Sequence, residues 1–240
     1  MKIVKHIPNT ITSMNLLCGT IGVICALNGR PDTAFLLMLG AALCDFCDGL
    51  CARMLNAYSD MGKELDSLAD LVSFGVLPAM MLRESVLLAG VSGILSYVPL
   101  LLVVFSALRL AKFNIDETQT ENFRGLATPA SAMLTGSFTY YVFCSPDSMM
   151  AGWPGSPVFI LLATAALSAL MVSRIPMFSM KFKKGVKTES PLYRMRIAFT
   201  GIFCVCVVLV SLLGLNWSMI ILLTFLIYVL MNVLNALFSK

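Results

Sequence analysis

Charge is scarce in this chain. Asp, Glu, Lys and Arg make up 12% of its 240 residues, where a soluble domain usually carries about 25%. Too few polar side chains exist to coat a water-facing globule, which excludes that class. The 17 basic residues are too few, and too closely tied to the ends of apolar runs, for a nucleic-acid surface. Histidine is nearly missing: His6 is the single one, and it reads as a surface or interfacial residue rather than a catalytic one. Cysteine is present eight times but forms no secreted disulfide framework. Cys18, Cys25, Cys204 and Cys206 sit inside apolar runs, where a thiol behaves as a small apolar side chain. Cys44-x2-Cys47 has dithiol spacing, yet no second pair accompanies it, so packing is its reading. Internal repeats, low-complexity tracts and a separate soluble domain are all lacking.

Apolar residues fill the gap, at 58% of the chain with a mean hydropathy of +0.87. Such a composition belongs to an integral membrane protein, with lipid as outer solvent. Eight apolar stretches reach helical length, at 10–29, 33–57, 65–90, 93–113, 128–145, 156–175, 196–214 and 217–238. A bilayer-spanning helix needs roughly 20 residues. The fifth stretch, TPASAMLTGSFTYYVF, is small and hydroxylated, a composition that suits close helix packing in membranes. The expected fold is therefore an all-α polytopic membrane protein of about eight transmembrane helices. The first run has no convincing small-residue cleavage site after it and is expected to be retained. The head MKIVKHIPNT is expected to form a short interfacial segment ending at Pro8.

Orientation follows from Lys and Arg. With the N-terminus inside, only Arg30 and Arg83 fall outside, leaving 15 of the 17 basic residues within. The inner set includes Lys2, Lys5, the 181–196 stretch KFKKGVKTESPLYRMR and Lys240. Both termini are then cytoplasmic, and a prokaryotic plasma membrane is the expected location. The 181–196 stretch reads as a solvated loop with attraction to anionic headgroups.

Against this apolar background stands CDFCDGLCARMLNAYSDMGKELDSLAD, residues 44–70. Asp45, Asp48, Asp66 and Asp70 occupy stretches that are otherwise apolar, and Asp60 is expected in the turn between them. A carboxylate there is costly unless compensated. Asp45 and Asp48 are i,i+3, and Asp66 and Asp70 are i,i+4, so each pair shares one helix face. Asp48 precedes the turn by about as many residues as Asp70 follows it. At 1.5 Å per residue both sit roughly 12–16 Å from their helix ends, at similar depth. Four facing carboxylates would repel unless one or two divalent cations lay among them. An all-oxygen donor set favours Mg²⁺ or Mn²⁺ over Zn²⁺, with Ca²⁺ allowed. Two other readings exist: aspartates facing water or paired with Arg53 and Lys63, and an ion pathway of a divalent-cation transporter.

Written with its small residues, the segment is Asp45-x2-Asp48-Gly49-x2-Ala52-Arg53-x8-Gly62-x3-Asp66-x3-Asp70. This resembles the signature of the CDP-alcohol phosphotransferases, with every fixed position filled. The resemblance implies a six-helix membrane core, usually homodimeric, carrying the motif on its second and third helices. It implies transfer of a substituted phosphoryl group from a CDP-linked donor to an alcohol, releasing CMP, with two divalent cations as cofactors. By position, Asp45, Asp48 and Asp66 resemble the metal-binding aspartates, and Asp70 resembles the residue that touches metal and acts as general base. Gly49, Ala52, Arg53 and Gly62 resemble positions lining the cytidine nucleotide, to which Asp48 also belongs. Small residues let a base and ribose approach the helix backbone, and Arg53 offers phosphate a planar donor fork.

Further blocks, PNTITSMNLLCGTIG (8–22), SALRLAKFNI (106–115) and FRGLATPASA (123–132), resemble the phosphatidylserine synthase branch. Lys112 stands where the branch commonly has arginine, and Ala127 where it has proline. The branch implies CDP-diacylglycerol as donor and L-serine as acceptor. Another alcohol, such as glycerol 3-phosphate, inositol phosphate or an amino alcohol, would use the same chemistry. Arg109 and Lys112, at the inner end of the fourth span, and Asn114 are the expected contacts for serine. The first two can equally anchor the helix end by snorkelling. Asn15 is expected at the nucleotide, or in an interhelical hydrogen bond. The expected division is a core at 1–175 with its interfacial head, then a basic loop and two added helices at 176–240.

Overall fold

The computed structural model of the chain describes residues 6–115, 123–178 and 191–238. In chain order its helices are α1 (Ile7–Leu27), α2 (Pro31–Met54), α3 (Asp60–Asp70), α4 (Leu77–Leu88), α5 (Leu101–Ile115), α6 (Thr128–Cys144), α7 (Pro157–Val172), α8 (Pro191–Leu212) and α9 (Ser218–Phe238). A π-helical turn, Leu71–Val76, joins α3 to α4, and a 3₁₀ helix, Gly93–Leu100, leads into α5. Two short strands, β1 (Phe123–Arg124) and β2 (Pro176–Met177), pair antiparallel. The protein is all-α and polytopic, and each expected span contains a helix. Among the described residues six runs are long and apolar enough to cross a membrane: 7–27, 31–54, 60–88, 93–115, 195–212 and 218–238. The other two helices, α6 and α7, have 17 and 16 residues.

Several boundaries differ from the sequence expectation, each for a local reason. Pro8 does not end an interfacial segment; it lies in the first turn of α1, where its missing N–H is no loss. Residues 1–5 of that segment, Lys181, Lys183, Lys184 and Lys187, and Lys240 lie outside the described residues. Asp60 is not in a turn but opens α3, because Ser59 caps that helix by accepting from the Gly62 N–H at 3.0 Å. The turn is thereby shortened to residues 55–59. On its other side α2 closes with Asn56 at φ 47, and Ala57 N–H donates to Ala52 O at 3.0 Å. This left-handed residue and its return bond are a Schellman ending. The α2–α3 hairpin is thus set by its own turn chemistry, and it carries both aspartate pairs.

The hydroxylated fifth stretch becomes α6, the central helix. Nearly every residue from Thr128 to Thr139 is buried, and α2, α4 and α9 all pack against it. Small side chains permit this: a Cβ on Gly136 would overlap Met38 of α2. Some of its hydroxyls are satisfied within the helix, Thr135 donating to Ser131 O and Thr139 to Gly136 O, each at 3.0 Å. Apolar clusters lie on both sides, one around Phe35, Met38, Phe74 and Met81, the other around Leu82, Leu126, Met171 and Met177. On the far side of α2, α1 lays Gly19 and Gly22 against the π turn and α4; a Cβ on Gly19 would strike Ser73.

Candidate active site

The four aspartates converge where α2, α1 and α3 meet. Asp45, Asp48 and Asp66 each present an oxygen within 4.8 Å of the others. Asp70 lies one turn further on α3, within electrostatic range of all three. Asp48 and Asp70 are buried, and Asp45 and Asp66 half-buried. Neither Arg53 nor Lys63 pairs with them: Arg53 Nε donates to Gly49 O at 2.8 Å, and Lys63 Nζ to Asn114 O at 2.9 Å.

Helix α1 supplies two polar side chains to this cluster. The Thr12 hydroxyl donates to Asp48 Oδ2 at 2.5 Å, and Asn15 Nδ2 donates to Asp70 Oδ1 at 3.3 Å. Asn15 is itself fully buried, and its backbone carbonyl accepts the Ser73 hydroxyl at 3.0 Å. Two oxygens, Asp66 Oδ1 and Asn15 Oδ1, are buried with no hydrogen-bond partner. Buried polar atoms are normally satisfied, and orphaned oxygens beside three clustered carboxylates are what a hard cation would occupy. The donor set fits the divalent cations that the motif implies.

The π turn begins immediately after Asp70. Leu77 N–H reaches back five residues to Val72 O, and Pro78, which follows it, has no N–H to restore the α-helical register. The widened turn re-aims the side chains around it. It also brings Gly75 against Ser106 of α5, with 3.1 Å between the Ser106 Cβ and an added glycine Cβ. Further along, Asn114 Nδ2 donates to Ser67 Oγ at 2.9 Å. Helix α5 therefore runs antiparallel along Ser67–Gly75, and this register puts Arg109 level with Val72, two residues beyond Asp70.

A cavity of about 230 Å³ opens beside the carboxylates. Asp48, Gly49, Ala52, Gly62 and Asp66 line it, together with Thr12 and Pro8 of α1. Asn9, Ala57, Tyr58, Ser59 and Lys63 complete the wall. A Cβ on Gly62 would lie 3.0 Å from both Asn9 Oδ1 and Ser59 Oγ, so this position is small for steric reasons. Arg53 is exposed and flanks the cavity without lining it. Asn15 is not among the lining residues; it makes the interhelical bond to Asp70. Thr12 and Asn9 were not singled out from sequence, and Lys63 was read only as a possible partner of the aspartates. Thr12 stands three residues before Asn15, so the shared helix face was the available signal.

The three side chains expected at serine separate. Lys112 is exposed. Asn114 donates its side-chain amide to Ser67, and its backbone carbonyl accepts from Lys63. Arg109 is buried, with Nε donating to Leu126 O at 3.0 Å and the guanidinium 5.7 Å from the Phe113 ring. No carboxylate among the described residues pairs with it, and Tyr228 of α9 lies within its electrostatic range. All eight cysteines, Cys44 and Cys47 included, are free.

Comparison with known proteins agrees with this architecture. A family model described as CDP-alcohol phosphatidyltransferase matches residues 5–175. The chain is 38% identical over 173 residues to a CDP-diacylglycerol–serine O-phosphatidyltransferase of Bacillus subtilis (strain 168), covering 71% of this chain and 89% of that protein. It is 35% identical over 231 residues to the Mycobacterium leprae (strain TN) protein of the same name, covering 93% and 73%. It is 33% identical over 171 residues to an archaetidylserine synthase of Methanothermobacter thermautotrophicus, covering 70% and 68%. With three motif aspartates in one carboxylate cluster, Asp70 a turn away and the motif's small residues on the adjoining cavity, and with the family model matching residues 5–175, the chain belongs to the CDP-alcohol phosphatidyltransferase family.

Proposed function

We propose that this protein transfers the phosphatidyl group of CDP-diacylglycerol to the hydroxyl of L-serine, giving phosphatidylserine and CMP. The observation that carries the reading is the pairing of the aspartate cluster, with its orphaned buried oxygens, and a glycine-lined cavity on the same hairpin. The relatives named for serine transfer support the choice of acceptor.

The cytidine lies in the cavity against Gly49, Ala52 and Gly62, where the lack of side chains admits a flat base and ribose. Arg53, at the cavity edge, faces the phosphates. Two divalent cations, Mg²⁺ or Mn²⁺, held by Asp45, Asp48, Asp66 and Asp70, would neutralise the pyrophosphate and stabilise charge on the attacking and leaving oxygens. Thr12 and Asn15 orient Asp48 and Asp70. Asp70 accepts the proton of the serine hydroxyl. The serine oxygen forms a bond to the phosphorus carrying diacylglycerol, and the bond from that phosphorus to the CMP oxygen breaks in line. Arg109 binds the serine carboxylate, supported by its burial, its charge and its level two residues beyond Asp70.

In this reading residues 1–175 form the catalytic core, and the homodimer and the cytoplasmic site are carried over from family and charge bias. Lipid tails stay in the bilayer while the headgroup enters from the inner face. Purified protein supplied with CDP-diacylglycerol, Mg²⁺ or Mn²⁺ and labelled serine is expected to release CMP and labelled phosphatidylserine in equal amounts, and chelation abolishes both. Turnover with glycerol 3-phosphate, inositol phosphate or an amino alcohol, but none with serine, overturns the acceptor. Absence of any CMP release would leave a divalent-cation transporter as the reading.

A further inference from the structure

The family model ends at residue 175, yet the residues just beyond it are built into the fold around Arg109. Phe178 is buried in the strap that follows β2. Its backbone N–H donates to Asn232 Oδ1 at 2.9 Å, and its carbonyl accepts the Tyr228 hydroxyl at 3.0 Å. Tyr228 and Asn232 are four residues apart on α9, hence on one face, and Asn232 Nδ2 closes the unit by donating to Tyr228 O at 2.7 Å. Both backbone groups of Phe178 are thus satisfied by side chains of a helix. The Phe178 ring adds edge contacts to Tyr228 at 5.0 Å and to Phe199 of α8 at 5.9 Å.

The strap passes this restraint inward. Pro176 and Met177 pair with Arg124 and Phe123. Gly125 N–H donates to Ile175 O and Leu126 N–H to Leu170 O, each at 2.9 Å. Gly125 stands at φ +79 under three carbonyls of the α7 end, the nearest 2.5 Å from where a Cβ would lie, so only glycine closes this joint. Leu126 then offers its carbonyl to Arg109 Nε.

We propose that α8 and α9 are a positioning device for Arg109: Tyr228 and Asn232 hold the Phe178 strap, the strap holds Leu126, and the Leu126 carbonyl aims the guanidinium at the acceptor's carboxylate. This rests on the reading of Arg109 as the serine-carboxylate residue. Tyr228 and Asn232 touch no reacting atom; they set acceptor affinity and leave donor handling alone.

The test is steady-state kinetics of the full-length protein with serine and CDP-diacylglycerol varied separately. Tyr228→Phe and Asn232→Ala are each expected to raise the serine KM about tenfold, the scale of one buried hydrogen bond. KM for CDP-diacylglycerol and kcat stay within about twofold. Because the clamp acts through Arg109, Asn232→Ala adds nothing to the serine KM once Arg109→Gln is present. Equal rises in both KM values, or an additive double variant, overturn the proposal and make α9 a structural prop. An unchanged serine KM in the clamp variants, with Arg109→Gln raising it, overturns the clamp and leaves the serine reading standing. An unchanged serine KM in Arg109→Gln overturns both. If Asn232→Ala does not fold, Tyr228→Phe, which removes one hydroxyl and keeps the ring packing, decides alone and is combined with Arg109→Gln.

Discussion

Asp70 illustrates how one side chain acquires a task from its neighbours. Its carboxylate is buried, one oxygen is tied to Asn15, and three more carboxylates lie within electrostatic range. Asp70→Asn preserves the shape and the Asn15 contact. It is expected to keep CDP-diacylglycerol binding, read by calorimetry in detergent, while turnover falls by about 10²- to 10⁴-fold, the range of a lost general base. Near-normal turnover removes Asp70 from that role. Gly62 makes the opposite case, where absence of atoms is the contribution. A Cβ there meets Asn9 and Ser59 at 3.0 Å and fills cavity space. Gly62→Ala should raise KM for CDP-diacylglycerol about tenfold and leave the serine KM unchanged. The aspartates were legible from residue type and spacing, and Gly62 only through the resemblance of its motif to the family's. Thr12 was not, since a hydroxyl on an apolar helix is usually bonded to its own backbone; Thr12 does bond Pro8 O, and Asp48 as well.

At the level of elements, the α2–α3 hairpin was readable from its two acidic spacings, although the left-handed Asn56 and the Ser59 cap start α3 at Asp60, which the sequence reading puts in the turn. The π turn after Asp70 was not. Pro78 signals a break within the third span, but whether a helix kinks, stops or widens depends on what packs against it. Here Gly19 of α1 lets Ser73 approach, and Gly75 lets α5 approach. Gly19→Ala places a methyl against Ser73 and should push α1 from the π turn. The expected cost is about 1–3 kcal/mol, read as a lowered unfolding temperature in detergent. Turnover falls with it, because Asn15 leaves Asp70. Retained stability and turnover would show that the close approach is dispensable.

For the whole molecule, hydropathy revealed an integral membrane protein and charge bias suggested its orientation. That orientation predicts opposite exposure of two sites. Cys144, exposed at the end of α6, should react with a membrane-impermeant maleimide in intact cells. A cysteine at Ser59, on the cavity wall, introduced into a chain lacking Cys144, should react only after the membrane is opened. The reverse pattern places the cavity outside and contradicts uptake of serine and release of CMP on the inner face.

The chain on its own determined the helical class, the spans and the identity of the acidic cluster, because length, hydropathy and i,i+3 or i,i+4 spacing act within one segment. It left the path of α9 to the Arg109 joint undetermined. That path joins the Asn232 amide and the Tyr228 hydroxyl to backbone groups of Phe178, 54 and 50 positions away. Only the packing of α6 at the centre, with α9 against it, brings them within hydrogen-bond reach.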